Sequence, residues 1–116
     1  MSGDGRAASA ASLCADIVDR VAELVPQAAV RPARTQTAFV RRRTFAAVWS
    51  ARQWLGERAA PCVLTVWLPE PAASHRWKEV TQVRPGLWAH HLEVSGPEAF
   101  DEQVGAWVLA AFAAAA

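Results

Sequence analysis

Residues 87–116, LWAHHLEVSGPEAFDEQVGAWVLAAFAAAA, decide how this chain folds. Positions 87–94 are mostly apolar or aromatic, and they read as a strand. Ser95, Gly96, Pro97 and Glu98 then read as the start of a helix. The hydroxyl of Ser95 stands three residues ahead of Glu98, the spacing of a capping box. Pro97 suits a first turn, where its missing N–H costs nothing. Glu98, Asp101 and Glu102 crowd the positive end of the helix dipole. Phe100, Val104, Trp107, Val108, Ala111 and Phe112 recur at helical spacing and make one apolar stripe. Gly105 interrupts it at a cost of about 1 kcal/mol against alanine, and a close approach to a sheet is the expected reason.

Working outward, CVLTVWL at 62–68 is apolar and β-branched between Pro61 and Pro69, hence a strand. Its alternation puts Cys62, Leu64, Val66 and Leu68 on one face and Val63, Thr65 and Trp67 on the other. A weaker strand, 77–83, leads into the turn Arg84-Pro85-Gly86, whose order suits type II. Two short β-prone segments, 37–42 and 45–49, precede a loop at 51–61 that has room for one helical turn around 53–55. The connection at 27–35, with Pro32, reads as irregular. Leu13, Ile17, Val21 and Leu24 form a helical stripe with Ser12 as its N-cap, and Pro26 ends that helix. Residues 1–11 read as a flexible lead-in. The expectation is therefore a single α+β domain over 12–116, in the order α-β-β-β-β-β-α. Its sheet is mainly antiparallel, of about five strands, with both helices on one face.

Composition narrows the function classes. The chain has 116 residues, six Trp, four Phe and no Tyr, and its net charge of +1 excludes a strong overall field for polyanions. No stretch has the apolar core of a signal peptide or the length of a membrane span, so the expected compartment is the cytoplasm and no membrane contact is expected. Cys14 and Cys62 stand apart from any CxxC. They read as two small buried hydrophobes in preference to a disulfide. No metal set and no cofactor motif occurs: the six glycines form neither GxGxxG nor GxxxxGK.

With the elements placed, the chain resembles an uncharacterised bacterial family, the domain of unknown function DUF5655, from about Leu13 to Phe112. The residues that carry the resemblance are Arg41-Arg42-Arg43 before the strand at 45–48, the hydrophobic strand with its proline-led loop at 63–69, and the histidine of the last strand. The closing pattern Asp101-x5-Trp107-x3-Ala111-Phe112 is the most specific of them. Tyrosine is expected where this chain has Phe112, and more lysines in the middle. The resemblance implies a small α+β fold, found alone or attached to other domains, nuclease-like ones among them. It implies no established catalytic residue.

His90 and His91 point to opposite faces of a strand, so they cannot chelate one metal together. His90 shares its face with Trp88, Leu92 and Val94 and reads as a half-buried, hydrogen-bonded ring. Glu98 and Asp101 are accounted for by capping. The stronger functional signal is basic and aromatic: Arg31, Arg34, Arg41, Arg42 and Arg43 lie before and along the first hairpin, with Trp49, Trp67 and Trp77 expected on the helix-free face. Guanidinium forks beside indoles suit phosphates or unstacked bases; the competing reading is an edge whose arginines discourage aggregation.

The function expected from sequence is a non-enzymatic binding module. Its candidate site is Arg41, Arg43, Trp49, Trp67 and His90, and its partner is a nucleic acid, an anionic small molecule or a protein. Homodimerisation or protein docking through exposed tryptophans is the alternative. A small enzyme using His90 with Asp101 ranks last.

Overall fold

The computed structural model describes residues 2–116, with side chains described outside 1–9, 53 and 54. Helix α1 (Ser2–Leu24) is followed by strands β1 (Ala29–Pro32), β2 (Gln36–Val40) and β3 (Thr44–Trp49) and the short helix α2 (Arg52–Leu55). Then come β4 (Cys62–Leu68), β5 (Glu79–Arg84), β6 (Leu87–Val94), a 3-10 turn at Pro97–Ala99 and helix α3 (Glu102–Ala114). The strands form one antiparallel sheet in the order β1-β2-β3-β4-β6-β5. No helix among the described residues is long and apolar enough to cross a membrane.

The α+β class, the antiparallel sheet and the two helices are as the sequence predicts, with six strands instead of about five. The added strand is β1, in the segment read as irregular. All four of its residues are exposed, so no apolar alternation marks it. Its proline sits at the end of an edge strand, where a missing N–H is tolerated. Helix α1 begins at Ser2, so it takes in the stretch expected to be a lead-in, and Ser12 lies inside the helix instead of capping it.

Both α1 and α3 cover the same face of the sheet. Leu13, Ile17, Val21 and Val25 meet Val48, Cys62, Leu64, Val66, Leu92 and Val94, and Val104, Val108 and Ala111 join them from α3. Phe39 and Phe45 are fully buried. A bulge opposite Phe39/Val40 interrupts the β2–β3 pairing at this point, and Phe45 meets Phe112 edge-on with ring centroids 5.4 Å apart. Burying a phenylalanine of this kind stabilises by roughly 1.5–3 kcal/mol.

The start of α3 differs from the expected one. Gly96 caps only the 3-10 turn, without a side-chain bond, and the helix proper begins beyond Asp101. The Asp101 carboxylate accepts from the Val104 amide at 3.1 Å. The Ser95–Glu98 spacing mimics a capping box, but an aspartate with its free oxygen at the right position takes the role. Gly105 faces α1 rather than the sheet: a Cβ there would meet Leu24 Cδ2 at 3.6 Å.

Strand β4 pairs with β6, not with β5. The chain between β4 and β5 must therefore cross β6.

Candidate functional site

His90 is fully buried beneath the crossing segment. Its Nε2 accepts from the Ala72 amide at 3.0 Å, and its Nδ1 lies 3.0 Å from the Trp88 carbonyl. Those partners fix the tautomer, with the proton on Nδ1 donated to Trp88. Trp77 packs edge-on to the ring, centroids 4.9 Å apart, donates from Nε1 to the Ala72 carbonyl at 2.9 Å, and lies tilted against Trp107 of α3, centroids 4.2 Å apart. Burial pushes the His90 pKa down, against the hydrogen bonds to backbone carbonyls that raise it. His90 thus ties down the crossover. Trp77, expected on the open face, lies on the helix side with it.

Arg76 continues this clasp. It donates to both Asp101 carboxylate oxygens at 3.0 Å, to Gln103 Oε1 at 2.8 Å and to the Ala99 carbonyl at 3.0 Å. The Val104 amide first, and then Arg76, hold the Asp101 carboxyl below its usual range. Both His90 nitrogens and both Asp101 oxygens are thus engaged with other groups, and none of these bonds joins the two residues. The pattern that carried the family resemblance becomes structural at each position. Asp101 caps and anchors, Trp107 receives Trp77, Ala111 is fully buried in the core, and Phe112 meets Phe45.

Arg41 and Arg43 also serve the helix. Arg41 Nη1 donates to the Phe112 carbonyl at 3.1 Å and its guanidinium lies 4.3 Å from the centre of the Phe112 ring. Arg43 Nη2 donates to the Ala114 carbonyl at 3.3 Å, and the Arg42 amide to Ala115 at 3.2 Å. The turn between β2 and β3 therefore caps the negative end of α3. The anion these two arginines meet is the helix terminus. Arg43 Nη1 remains buried without a hydrogen-bond partner among the described residues.

Trp49 and Trp67 do share the helix-free face. Register places Arg31, Ala38, Ala47, Thr65, His91 and Glu79 in one row across all six strands on that face. Small residues at 38 and 47 lower its middle, and indoles rise on either side. The result is a depression of about 250 Å³ bounded by Gln36, Ala47, Trp49, Thr65, Trp67 and His91. Trp49 Nε1 donates to Thr65 Oγ1 at 3.0 Å, and that oxygen lies 2.8 Å from His91 Nδ1. The rings of Trp49 and His91 meet edge-on, centroids 6.3 Å apart. Burial lowers the His91 pKa while Glu79 opposes the shift, which keeps the imidazole neutral at neutral pH. A second, larger cleft of about 720 Å³ lies between α1, the β1–β2 turn and the segment after β3; its charged lining, Asp19, Arg34, Arg52 and Glu57, is of both signs.

Of the five residues singled out from sequence, the structure brings Trp49 and Trp67 together. It puts His90 on the opposite face and Arg41 and Arg43 against α3. Thr65, Gln36 and His91 were not singled out from sequence as site residues, although strand parity already placed Thr65 with Trp67 and His91 opposite His90. An isolated threonine in an apolar strand, on the face of Trp67, was the available signal; its partners depended on the β4–β6 pairing. Among the described residues no three His, Cys, Asp or Glu side chains converge. Comparison with curated proteins and with solved structures gives no significant match. Residues 3–115, nearly the whole chain, match the family described as Domain of unknown function (DUF5655), and the protein belongs to that family.

Proposed function

We propose that the protein is a cytoplasmic, non-enzymatic binding module of a bacterium, and that it takes one unstacked base of a single-stranded nucleic acid on the helix-free face of its sheet. The observation that carries the reading is the depression between Trp49 and Trp67, with the imidazole of His91 at its wall. Its volume lies below the ~300–1,000 Å³ of sites for whole drug-sized ligands, which suits a single ring. Indole faces stack on any base, and such stacking contributes about 1–3 kcal/mol per base. The neutral imidazole and the Gln36 amide supply donors and acceptors for a base edge.

Phosphate contacts fall to arginines that the helix end does not use. Arg31 lies on the open face by register, and Arg42 is exposed in the β2–β3 turn. Among the described residues neither side chain has a hydrogen bond or ion pair. Two such contacts give a weak and shallow salt dependence, in keeping with a net charge of +1.

The test is a titration of the intact protein with short homopolymeric single-stranded DNA and RNA, followed by tryptophan fluorescence and by the His91 ring resonances. Binding that Trp67→Ala weakens about tenfold or more, and that Arg31→Ala weakens less, is the expected result. No binding to any oligonucleotide overturns the reading. A mass that rises with protein concentration and falls back in Trp67→Ala replaces it with self-association through the same face.

A further inference from the structure

Cys14 and Cys62 come from elements far apart in sequence, α1 and β4, and the fold sets them against each other. Cys14 Sγ–H donates to the carbonyl of Pro61, the residue before Cys62, at 3.5 Å. Cys14 also packs against the core cluster that holds Cys62. The two differ in access. Cys62 is fully buried in the core, whereas Cys14 is half-buried and lines the open cleft of about 720 Å³ beside α1.

We propose that Cys14 and Cys62 are a redox pair that a hydroperoxide converts to an intramolecular disulfide, with Cys14 attacked first from the cleft and Cys62 resolving it from the core. In the first step the Cys14 thiolate takes one oxygen of hydrogen peroxide. The O–O bond breaks, an S–O bond forms, and one water leaves. In the second step the Cys62 sulfur displaces that oxygen. An S–S bond forms, the S–O bond breaks, and a second water carries away the Cys62 proton. Two thiols lose two electrons and one peroxide gains them.

The electrostatics favour this order. The hydrogen bond from Cys62 draws the Cys14 pKa down, outweighing its burial. Cys62 is pushed up, first by that same hydrogen bond and then by burial and the neighbouring thiolate. The sulfur that meets solvent is the more readily ionised of the two, the arrangement of redox-sensing cysteines. A transient disulfide of this kind is compatible with a reducing compartment.

Native protein treated with iodoacetamide should lose Cys14 at least about tenfold faster than Cys62. Stoichiometric hydrogen peroxide should then remove both thiols together, lower the monomer mass by two hydrogens and yield a peptide linking 14 to 62, all reversed by dithiothreitol. Cys14→Ser should leave Cys62 untouched by the same dose. Thiols that survive the peroxide, an over-oxidised Cys14 beside a free Cys62, or a disulfide between two copies would each overturn the proposal. The wild-type reaction decides it without relying on a variant that folds.

Discussion

His90 and His91 are neighbours on β6, and the pleat sends them to opposite layers. On the covered side His90 spends both nitrogens on backbone groups and its ring on Trp77. On the open side His91 uses Nδ1 toward Thr65, and among the described residues no hydrogen bond is made by its Nε2. A polar side chain with every valence engaged inside the fold is a structural part. One that keeps a nitrogen toward a depression is available for a partner. Arg41 and Arg43 likewise turn onto helix carbonyls, whereas Arg31 lies on the bare face.

The largest expected effect breaks that contrast if it fails to appear. His90→Ala should destabilise by about 2–4 kcal/mol, because it opens a cavity in the core and takes away the acceptor of the Ala72 amide. His91→Ala, on a half-buried position, should cost about 1 kcal/mol or less. Urea unfolding of the two variants measures both. Equal losses would mean that the crossover segment is held by something other than His90.

Acid should act through the same pair. Both histidines have folded pKa values below the ordinary 6.5, so the unfolded chain takes up their protons first as the pH falls. Stability is complete above about 6.5 and is lost as the pH drops from there through the folded values. Asp101 adds a further loss as the pH falls below its ordinary 3.8 toward its lowered folded value. His90→Gln should flatten the first part of the curve of melting temperature against pH. An unchanged slope in that variant would assign the whole effect to His91 and the open face.

The clasp over the covered face is tested next. Asp101→Ala removes the oxygen that caps α3 and the partner of Arg76, so its melting temperature should fall below that of Asp101→Asn, which keeps a capping oxygen. Arg76→Ala should fall on the same side as Asp101→Asn, since it spares the cap and loses only the anchor. An Asp101→Asn variant as unstable as Asp101→Ala would place the value of this residue in the ion pair alone.

The class of fold was legible because local pattern and packing agree. Val63, Thr65 and Trp67 alternate against Leu64 and Val66 in the sequence and in the sheet alike. The candidate site was legible only by halves. Trp49 and Trp67 share a face through strand parity, which a sequence displays. The roles of Arg41, Arg43 and Trp77 depend on which distant group comes to meet them: a helix end about seventy residues on in the first two cases, and the histidine of a crossed strand in the third. Charge and aromaticity name the side chain but not its partner. Strand β1 escaped notice for the opposite reason, since an exposed edge strand carries no buried face to mark it.

The smallest effect asks how tightly the covered face is closed. Gly105 sits inside α3, buried against α1, where glycine weakens a helix by about 1 kcal/mol relative to alanine. A methyl there would rest on Leu24 Cδ2 at 3.6 Å, ordinary van der Waals contact, so nothing need move to admit it. Gly105→Ala should therefore raise stability by about 0.5–1 kcal/mol, through helix propensity and a less disordered unfolded chain, and leave the proposed oligonucleotide binding on the other face unchanged. A loss of stability instead would mean that α1 and α3 are pressed closer than Leu24 can accommodate. A change in binding would mean that packing on the covered side is felt through the sheet, and the two faces could then no longer be treated as separate.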